Sequence, residues 1–291
     1  MDNLTTSFAD TETEADTSPA ANSDLNHHLL AEAKATLETG APLHLTLPIN
    51  PTDLAAGSHL AAAIADRFGG PGLAEGTVNI TFHGHAGPGF GTANTTGIEL
   101  TLIGAASDCV GQEMAGGQIV VRPSLKSQLE VGNGAIAGDF VLEEAYGGNL
   151  FVAGKAGDHF AFRNYGATAI VEGIGDFACA EMADGVVVVL GPIGAQFGGG
   201  MQGGLVFMLN ADCQIPQTFS ANDLLAERVT GEADTELLRY LITRHVRLTG
   251  STRGQEILDD WPAQLEQFWK ITPQAVGAIP SPRVIPDTKR F

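Results

Sequence analysis

Short apolar segments recur along the middle of the chain, over about residues 78–210, at intervals of roughly 18 to 20 residues. In Ile98–Leu102 (IELTL), apolar and polar side chains alternate, so one face of the segment is apolar and the other is polar. This alternation predicts a half-buried β-strand. Self-similarity at a short, fixed period is typical of a solenoid, whose units bury their apolar faces only by stacking on their neighbours.

Glycines divide the repeats. Each strand is followed by a glycine that predicts a bend, and each copy ends in further small residues. The bend glycines are Gly84, Gly104, Gly154, Gly173 and Gly191. Five or six residues later, an apolar or small residue predicts a second, shorter strand (Phe90, Cys109, Phe160, Cys179 and Phe197).

Copies of this length leave no room for a crossover helix, so the fold class predicted is all-β. The architecture is a right-handed parallel β-helix of about seven coils, stacked at roughly 4.8 Å per coil. One interval, from Gln118 to Gly148, is longer than the others. We interpret it as an excursion loop over Arg122–Glu130 followed by an extra coil, VGNGAIAGDF.

The flanking segments divide the rest of the chain. Residues 1–25 are acidic, contain no Lys or Arg and are predicted to be a disordered tail. Residues 26–77 are predicted to form an N-terminal helical cap on the β-helix at 78–210, with one helix after Asn50 that ends near Phe68. Residues 211–291 are predicted to form C-terminal helices, one over Asp234–Leu248, and a proline-rich extended arm. We expect residues 276–291 of that arm to contact a neighbouring subunit.

Composition excludes several classes of function. The 291 residues carry a formal net charge of −19, which excludes nucleic acid as a natural partner because phosphate contacts need clustered Lys and Arg. The sequence shows neither a membrane-length apolar run nor a secretory leader, so we expect a cytoplasmic protein. The three cysteines, Cys109, Cys179 and Cys213, are far apart and are expected to be small apolar side chains rather than disulfide partners.

One pair of carboxylates suggests an enzyme. Asp158 and Asp176 follow bend glycines in consecutive coils, so they are expected to lie about one coil apart, with Arg163 as the nearest candidate cation. β-Helix enzymes that act on carbohydrate build acid/base sites from such pairs. The alternative is that each Asp accepts backbone N–H bonds at its own bend. Asp108, at the same offset, is expected in a coil not adjacent to them.

Other motifs are weaker. His83 and His85 flank a bend glycine and have no third ligand close in sequence, and the His27–His28 pair is expected to be exposed, so no metal site is predicted. The glycine-dense runs Gly87–Gly91 and Gly198–Gly200 are not followed by a helical pattern. Corner geometry explains them better than phosphate binding.

Several motifs, in order, resemble the C-terminal GXGXG domain of the glutamate synthase large subunit. They are FHGHAGPGFG (82–91), GAASDCVGQEMAGGQIVVRP (104–123), AGDHFAFRNYGATAIVEGIGDFACAEMADGVVVVLG (156–191), FGGGMQGG (197–204) and LLRYLITRHVRLTGSTRGQEILDDW (237–261). The similarity covers about residues 45–290.

The resemblance implies a structural β-helix with no catalytic, cofactor-binding or metal-binding residue of its own. In that family a class II glutamine amidotransferase module and an FMN and iron–sulfur module carry the chemistry. Residue 2 is Asp, so removal of Met1 exposes no cysteine nucleophile. The resemblance therefore implies a noncatalytic subunit of a heteromeric glutamate synthase or N-methylglutamate synthase. FMN and the iron–sulfur cluster would lie on a partner subunit, and the transferred amine would be ammonia or methylamine.

Two positions depart from the family pattern. The family usually has AGQSFGAF where this chain has AGPGFGTA (86–93), and RNSGA where it has RNYGA (163–167). Pro88 lacks a backbone donor, and Tyr165 adds a bulky ring at a coil corner. If these corners face a partner, that partner differs from the usual one, which favours the more specialised N-methylglutamate synthase.

Overall fold

A stack of parallel β-strands forms the centre of the computed structural model, which describes residues 25–124, 135–210 and 224–274. The stack follows chain order, and each strand pairs in parallel with its neighbour. Its strands are β1 (Leu43–Ile49), β2 (Val78–Ala86), β3 (Ile98–Ala106), β4 (Ala115–Arg122), β6 (Gly147–Ala156), β7 (Tyr165–Gly173), β8 (Asp184–Val189) and β9 (Leu205–Leu209). The short strand β5 (Ala135–Ala137) pairs beside β6, off this path.

The all-β parallel β-helix is therefore confirmed, with about six turns where the repeats indicated about seven. Alternate side chains of each strand face the interior of the coil, as the alternating pattern requires. In β3, Ile98, Leu100 and Leu102 are fully or almost fully buried in this interior core. The excursion loop lies mostly outside the described residues.

The first turn is covered by three helices, α1 (Leu25–Glu32), α2 (Lys34–Thr39) and α3 (Ser58–Phe68). The helix predicted after Asn50 is α3, and Leu60 and Ile64 bury its apolar side against the core. The segment predicted as a helical cap also supplies β1, which pairs in register with β2. Alternation in Leu43–Ile49 (LHLTLPI) is the sequence signal for this extra strand.

The C-terminal segment folds back onto the outside of the sheet. Its elements are β10 (Leu224–Arg228), α4 (Glu232–Thr249), α5 (Thr252–Asp259), α6 (Trp261–Leu265) and β11 (Phe268–Pro273). Leu238, Leu241 and Ile242 of α4 pack on the outward side chains of the strands, including Phe151 and Ile170, in a second apolar cluster. The sheet is thus buried on both faces here, which explains strands such as VVVV in β8 that do not alternate.

Strand β11 covers the last turn. It pairs antiparallel with β9 on one side and with β10 on the other. These two strands were not predicted: residues 211–291 were expected to be helices and an arm. The acidic tail at 1–24, Cys213 and the arm at 276–291 lie outside the described residues.

Within the residues that the structure describes, no helix is both long enough and apolar enough to cross a membrane.

Candidate functional site

The corners of the coil have an unusual backbone. In each turn, every second residue over a five-residue stretch has a positive φ; we call these stretches the corner segments. They begin at Gly89, Cys109, Phe140, His159, Phe177 and Gln196. Glycine tolerates this left-handed conformation and other residues adopt it at a cost, which explains the glycine-dense runs Gly87–Gly91 and Gly198–Gly200 as corner geometry.

The second, shorter strand predicted after each bend is wrong, because the corner segments occupy its place. Between the first two left-handed residues of each segment, one side chain points into the core and is fully buried. These side chains are Phe90, Val110, Val141, Phe160, Ala178 and Phe197. Cys109 and Cys179 are instead left-handed positions themselves.

An aspartate precedes each of four corner segments, and together these residues form what we call the aspartate ladder. Oδ1 of Asp108 accepts a hydrogen bond from the backbone N–H of Asp139 at 2.9 Å, and Asp139 does the same for Asp158 at 2.8 Å. Asp158 accepts from Asp176 at 2.7 Å, and Asp176 accepts from Ala195 at 2.6 Å. Each carboxylate thus joins one coil to the next.

The ladder corrects one expectation. Asp158 and Asp176 are stacked one turn apart as predicted, but each accepts from the following coil and not at its own bend. Asp108 lies in a coil that is not adjacent to theirs, as expected, and Asp139 connects it to them. The sequence did not predict Asp139, because it lies in the irregular coil after the excursion loop.

Arg163 does not join these carboxylates. It pairs with Glu181 at 2.9 Å and Glu144 at 3.4 Å, at the far end of the corner segments. Those hydrogen bonds raise the pKa of the Arg163 guanidinium above its ordinary value. Oδ1 of Asp158 and Oδ1 of Asp176 are therefore used in coil-to-coil hydrogen bonds, and Arg163 is paired with other carboxylates instead of binding an acidic sugar beside them.

The histidine candidates are all at the surface. His83 and His85 are exposed, and Nε2 of His85 lies 3.2 Å from Oγ of Ser107. His27 and His28 lie on the exposed side of α1. Across residues 25–124, 135–210 and 224–274, no three His, Cys, Asp or Glu side chains come together to hold a metal ion.

The two described cysteines do not form a cluster, since two other corner segments lie between theirs. Burial raises the pKa of the Cys179 thiol far above its ordinary value. The pKa of Cys109 is also raised, first by burial and then by the negative charges of Glu143, Asp108 and Asp139. Both thiols are therefore protonated at neutral pH and poorly suited to nucleophilic or ligand chemistry.

A concave surface runs along the bends that follow the strands, and we call it the bend groove. It is a cavity of about 960 Å³, whose floor contains Gly84, Gly104, Gly154 and Gly191. The backbone of successive bends is in close contact: a Cβ on Gly104 would lie 1.7 Å from the carbonyl oxygen of Gly84. With no side chains over these positions, the bends leave an open channel. The sequence predicted the bend glycines but not the groove that they form.

A buried polar cluster lies beside the groove, where α4 and α5 meet the sheet. Oε1 of Glu172 accepts a hydrogen bond from Ser251 Oγ and lies 3.2 Å from Nε2 of the fully buried His245. Because an ionised carboxylate only accepts, Nε2 carries the proton, and Nδ1 is a buried atom without a hydrogen-bond partner. Nε of Arg253 donates a further hydrogen bond to the carbonyl of Leu190 at 3.1 Å. The cluster fixes the α4–α5 turn to the strands.

Aromatic rings stack on the solvent side of the corners. His159 lies between Phe140 and Phe177. Its ring centroid is 4.5 Å from that of Phe140 and 5.0 Å from that of Phe177. Tyr146 and Tyr165 stack at 5.2 Å and are 60% and 39% exposed. Tyr165, the departure noted in the sequence, thus belongs to an exposed tyrosine pair. Exposed tyrosines are enriched at protein–protein contact surfaces.

Comparison with known proteins decides the family. The family model described as GXGXG motif matches residues 24–274. The chain belongs to the GXGXG motif family. Ferredoxin-dependent glutamate synthase 2 of Synechocystis sp. is 40% identical over 222 residues, which cover 76% of this chain and 14% of that protein. Ferredoxin-dependent glutamate synthase 1 of Arabidopsis thaliana is 40% identical over 244 residues, covering 84% and 15%.

The similarity extends to other types of glutamate synthase. The NADPH glutamate synthase large chain of Azospirillum brasilense is 36% identical over 250 residues, which cover 86% of this chain and 16% of that protein. This chain is therefore a GXGXG domain related to those of glutamate synthase large chains. It spans only about a seventh of the length of these relatives.

Proposed function

We propose that this GXGXG protein is a noncatalytic structural subunit of a heteromeric glutamate synthase-type enzyme, either a glutamate synthase or an N-methylglutamate synthase. It organises a class II glutamine amidotransferase-like subunit and an FMN and iron–sulfur subunit around the transfer of ammonia or methylamine. We place this assembly in the cytoplasm.

One observation carries the proposal. The similarity to glutamate synthases covers at least three quarters of this chain but at most 16% of those relatives, so most of the length of each relative lies outside this domain. The architecture of this chain also favours rigidity, because Oδ1 of each aspartate in the ladder accepts a hydrogen bond from the next coil. Cys109 and Cys179 offer no paired site for an iron–sulfur cluster, in keeping with the cofactors lying on a partner.

The exposed Tyr146/Tyr165 pair is the surface that we expect to contact a partner subunit. A stacked, half-exposed tyrosine pair buries a large rigid area on association with little loss of side-chain entropy. Tyr165 replaces the usual serine of this position, so the partner should have a complementary recess. This is the feature that favours N-methylglutamate synthase.

Affinity purification from the native cell tests the proposal. A tagged chain should elute with a yellow, iron-containing protein and with an amidotransferase-like protein, and the chain purified alone should be colourless and inactive. Replacing Tyr146→Ser together with Tyr165→Ser should weaken association by at least about tenfold, which corresponds to about 1.4 kcal/mol. Leu225→Ser, at a 45% exposed residue of β10, is the control and should leave association unchanged.

Two other outcomes would contradict the proposal, in whole or in part. If the chain alone binds a flavin or turns over a substrate, the noncatalytic assignment is wrong. If the complex forms and the tyrosine variant binds as tightly as the control, the subunit role stands and the contact surface lies elsewhere.

A further inference from the structure

The bend groove runs along the stack. It extends from His83–His85 of β2, past β3, β5, β6 and β7, to Pro192 after β8. These are six successive levels of the stack, so at about 4.8 Å per level the groove is about 24 Å long. An extended peptide of about seven residues has this length, whereas a small metabolite would fill only part of it.

Positively charged and imidazole side chains are distributed along the groove. His83 and His85 lie at one end, Lys155 lies near the middle, and Arg253 lies at the other end, where its Nε contacts the Leu190 carbonyl. The acidic side chain in the groove, Glu172, already accepts hydrogen bonds from His245 and Ser251. In a chain with a net charge of −19, a concave surface of this composition favours an acidic ligand.

The chain itself carries a matching sequence. Residues 1–24 contain six acidic residues and no Lys or Arg. Four of the acids alternate with small residues in Asp10–Asp16 (DTETEAD). In an extended peptide, alternate side chains point to the same side, so the four carboxylates would project together over about 20 Å.

The first described residues lie near the His83–His85 end of the groove. Asn26 donates hydrogen bonds to the carbonyls of Leu54 and Ala55 at 3.1 and 3.2 Å, and the N–H of Ala55 in turn bonds the carbonyl of Pro88. Pro88 follows His85 by three residues, a path of at most about 11 Å. Nine residues separate Asp16 from the anchor at Asn26, and an extended chain of that length, about 30 Å, reaches the groove.

From this arrangement we propose that the bend groove binds the acidic segment Asp10–Asp16 of the same chain as an extended strand of peptide. Its carboxylates lie along His83, Lys155 and Arg253. The tether keeps the effective concentration of the segment in the millimolar range, which makes weak charge contacts sufficient for occupancy. Residues 125–134 also adjoin the groove in sequence, but they carry one Lys and one Glu and lack the charge that complements it.

Amide NMR spectra of the full-length chain test the proposal. The probe signals are those of Gly84, Gly104, Gly154 and Gly191, and the test variant carries Asp10→Asn, Glu12→Gln, Glu14→Gln and Asp16→Asn. The four substitutions replace each carboxylate by an amide of nearly the same size, so the variant differs from the native chain in charge and not in length. At about 20 mM salt we expect the four signals to shift in the variant, and we expect about 500 mM salt to produce the same shift in the native chain.

A matched control keeps the charge and removes the alternation. Thr11→Glu, Glu12→Thr, Thr13→Glu and Glu14→Thr place the four acids on both sides of an extended chain. This variant should show the signals of the neutralised variant. From the groove side, Lys155→Gln with Arg253→Gln should release the segment, while Arg67→Gln with Arg247→Gln, which removes the same charge elsewhere, should not.

The proposal is wrong if the four glycine signals superimpose in the native, neutralised and rearranged chains. It is also wrong if a synthetic peptide of residues 8–18 shifts these signals equally in the native and the neutralised chain, because the groove would then be vacant in the native protein and would bind acidic peptides of another molecule. Signals that respond to charge but not to alternation would show attraction without the extended strand, and would overturn the proposed binding mode.

Discussion

Single residues of the aspartate ladder connect the turns of the coil. Oδ1 of each aspartate accepts one backbone N–H of the next turn, immediately before or at the start of a corner segment. These side-chain bonds add to backbone bonds between the same coils, such as those from the N–H of Phe140 to the carbonyl of Asp158 and from the N–H of His159 to the carbonyl of Asp176. We therefore expect these positions to need an oxygen acceptor rather than a negative charge.

This difference between acceptor and charge can be measured at Asp158. Asp158→Ala leaves the N–H of Asp176 without its partner and should lower the free energy of unfolding by about 1 kcal/mol. Asp158→Asn keeps the Oδ1 acceptor and should change the free energy of unfolding by less than about 0.5 kcal/mol. Urea denaturation measures both. Equal losses in the two variants would mean that the charge, and not the hydrogen bond, stabilises the ladder.

Cys109 should show a pH-dependent reactivity set by its surroundings. Its pKa is raised by partial burial and by the nearby carboxylates Glu143, Asp108 and Asp139, so the reactive thiolate forms only at a higher pH than in a free cysteine. In a Cys213→Ser chain, labelling by a disulfide reagent should therefore be slow at pH 8 and should accelerate above pH 9. Cys179 should stay unlabelled until the chain unfolds, because it is fully buried.

Glu143→Gln provides the check on this explanation. It removes the largest of the charge contributions and should lower the pKa of Cys109, so labelling at pH 8 should become faster. A rate that is unchanged in Glu143→Gln would mean that accessibility alone controls the thiol.

At the scale of elements, the cluster of Glu172, His245 and Ser251 fastens the C-terminal helices to the sheet. Glu172→Ala leaves a buried imidazole N–H and a hydroxyl without their acceptor, and it should lower the free energy of unfolding by about 2–3 kcal/mol. Both tryptophans, Trp261 and Trp269, lie in this C-terminal part, so their fluorescence during urea denaturation reports its release.

Glu256→Ala is the matched control for Glu172→Ala. Glu256 is 63% exposed and lies 3.8 Å from Arg253, so its removal should cost less than about 0.5 kcal/mol. If the two variants unfold at the same urea concentration, the cluster does not anchor the helices.

The elements also show which parts of the fold follow from sequence pattern alone. Period-two alternation in Ile98–Leu102 identifies a strand buried on one face, and the helix Glu232–Thr249 is recognised from its apolar stripe. The corner segments were misread as strands because a positive φ at Cys109 or His159 has no signature in residue type. Strands β10 and β11 were missed because their partners are distant in sequence, and pairing is not encoded locally.

The candidate site was also predictable only in part. Spacing correctly stacked Asp158 on Asp176, since the coil length fixes which residues are neighbours. It did not give the hydrogen-bond donors, because the donor depends on the backbone direction at the corner. The cluster of Glu172 with His245 was not foreseen at all: 73 residues separate the two, and only the packing of α4 on β7 brings them together.

For the whole molecule, the two ends of the stack are its most vulnerable points. A stack of parallel strands exposes unpaired N–H and C=O groups on its first and last strands, and such edges promote association with other chains. Here α1–α3 cover the first turn, while β11 pairs along β9 at the last turn. Detachment of β11 would leave the edge of β9 unpaired, so a variant in which β11 does not dock should self-associate.

Ile271 is the residue at which this can be tested. It is fully buried in the core of the coil and pairs with Val206 of β9 and Ala226 of β10. Ile271→Asp would place a carboxylate in this apolar core, so β11 should detach, with a loss of stability of at least about 3 kcal/mol and concentration-dependent self-association. Thr272→Asp adds the same charge to the same strand at a partly exposed position and should remain stable and monodisperse. Size-exclusion chromatography with light scattering distinguishes the two. Should Ile271→Asp behave like Thr272→Asp at every concentration, β11 is not what protects the end of the stack, and that role passes to the helices that pack on the outside of the sheet.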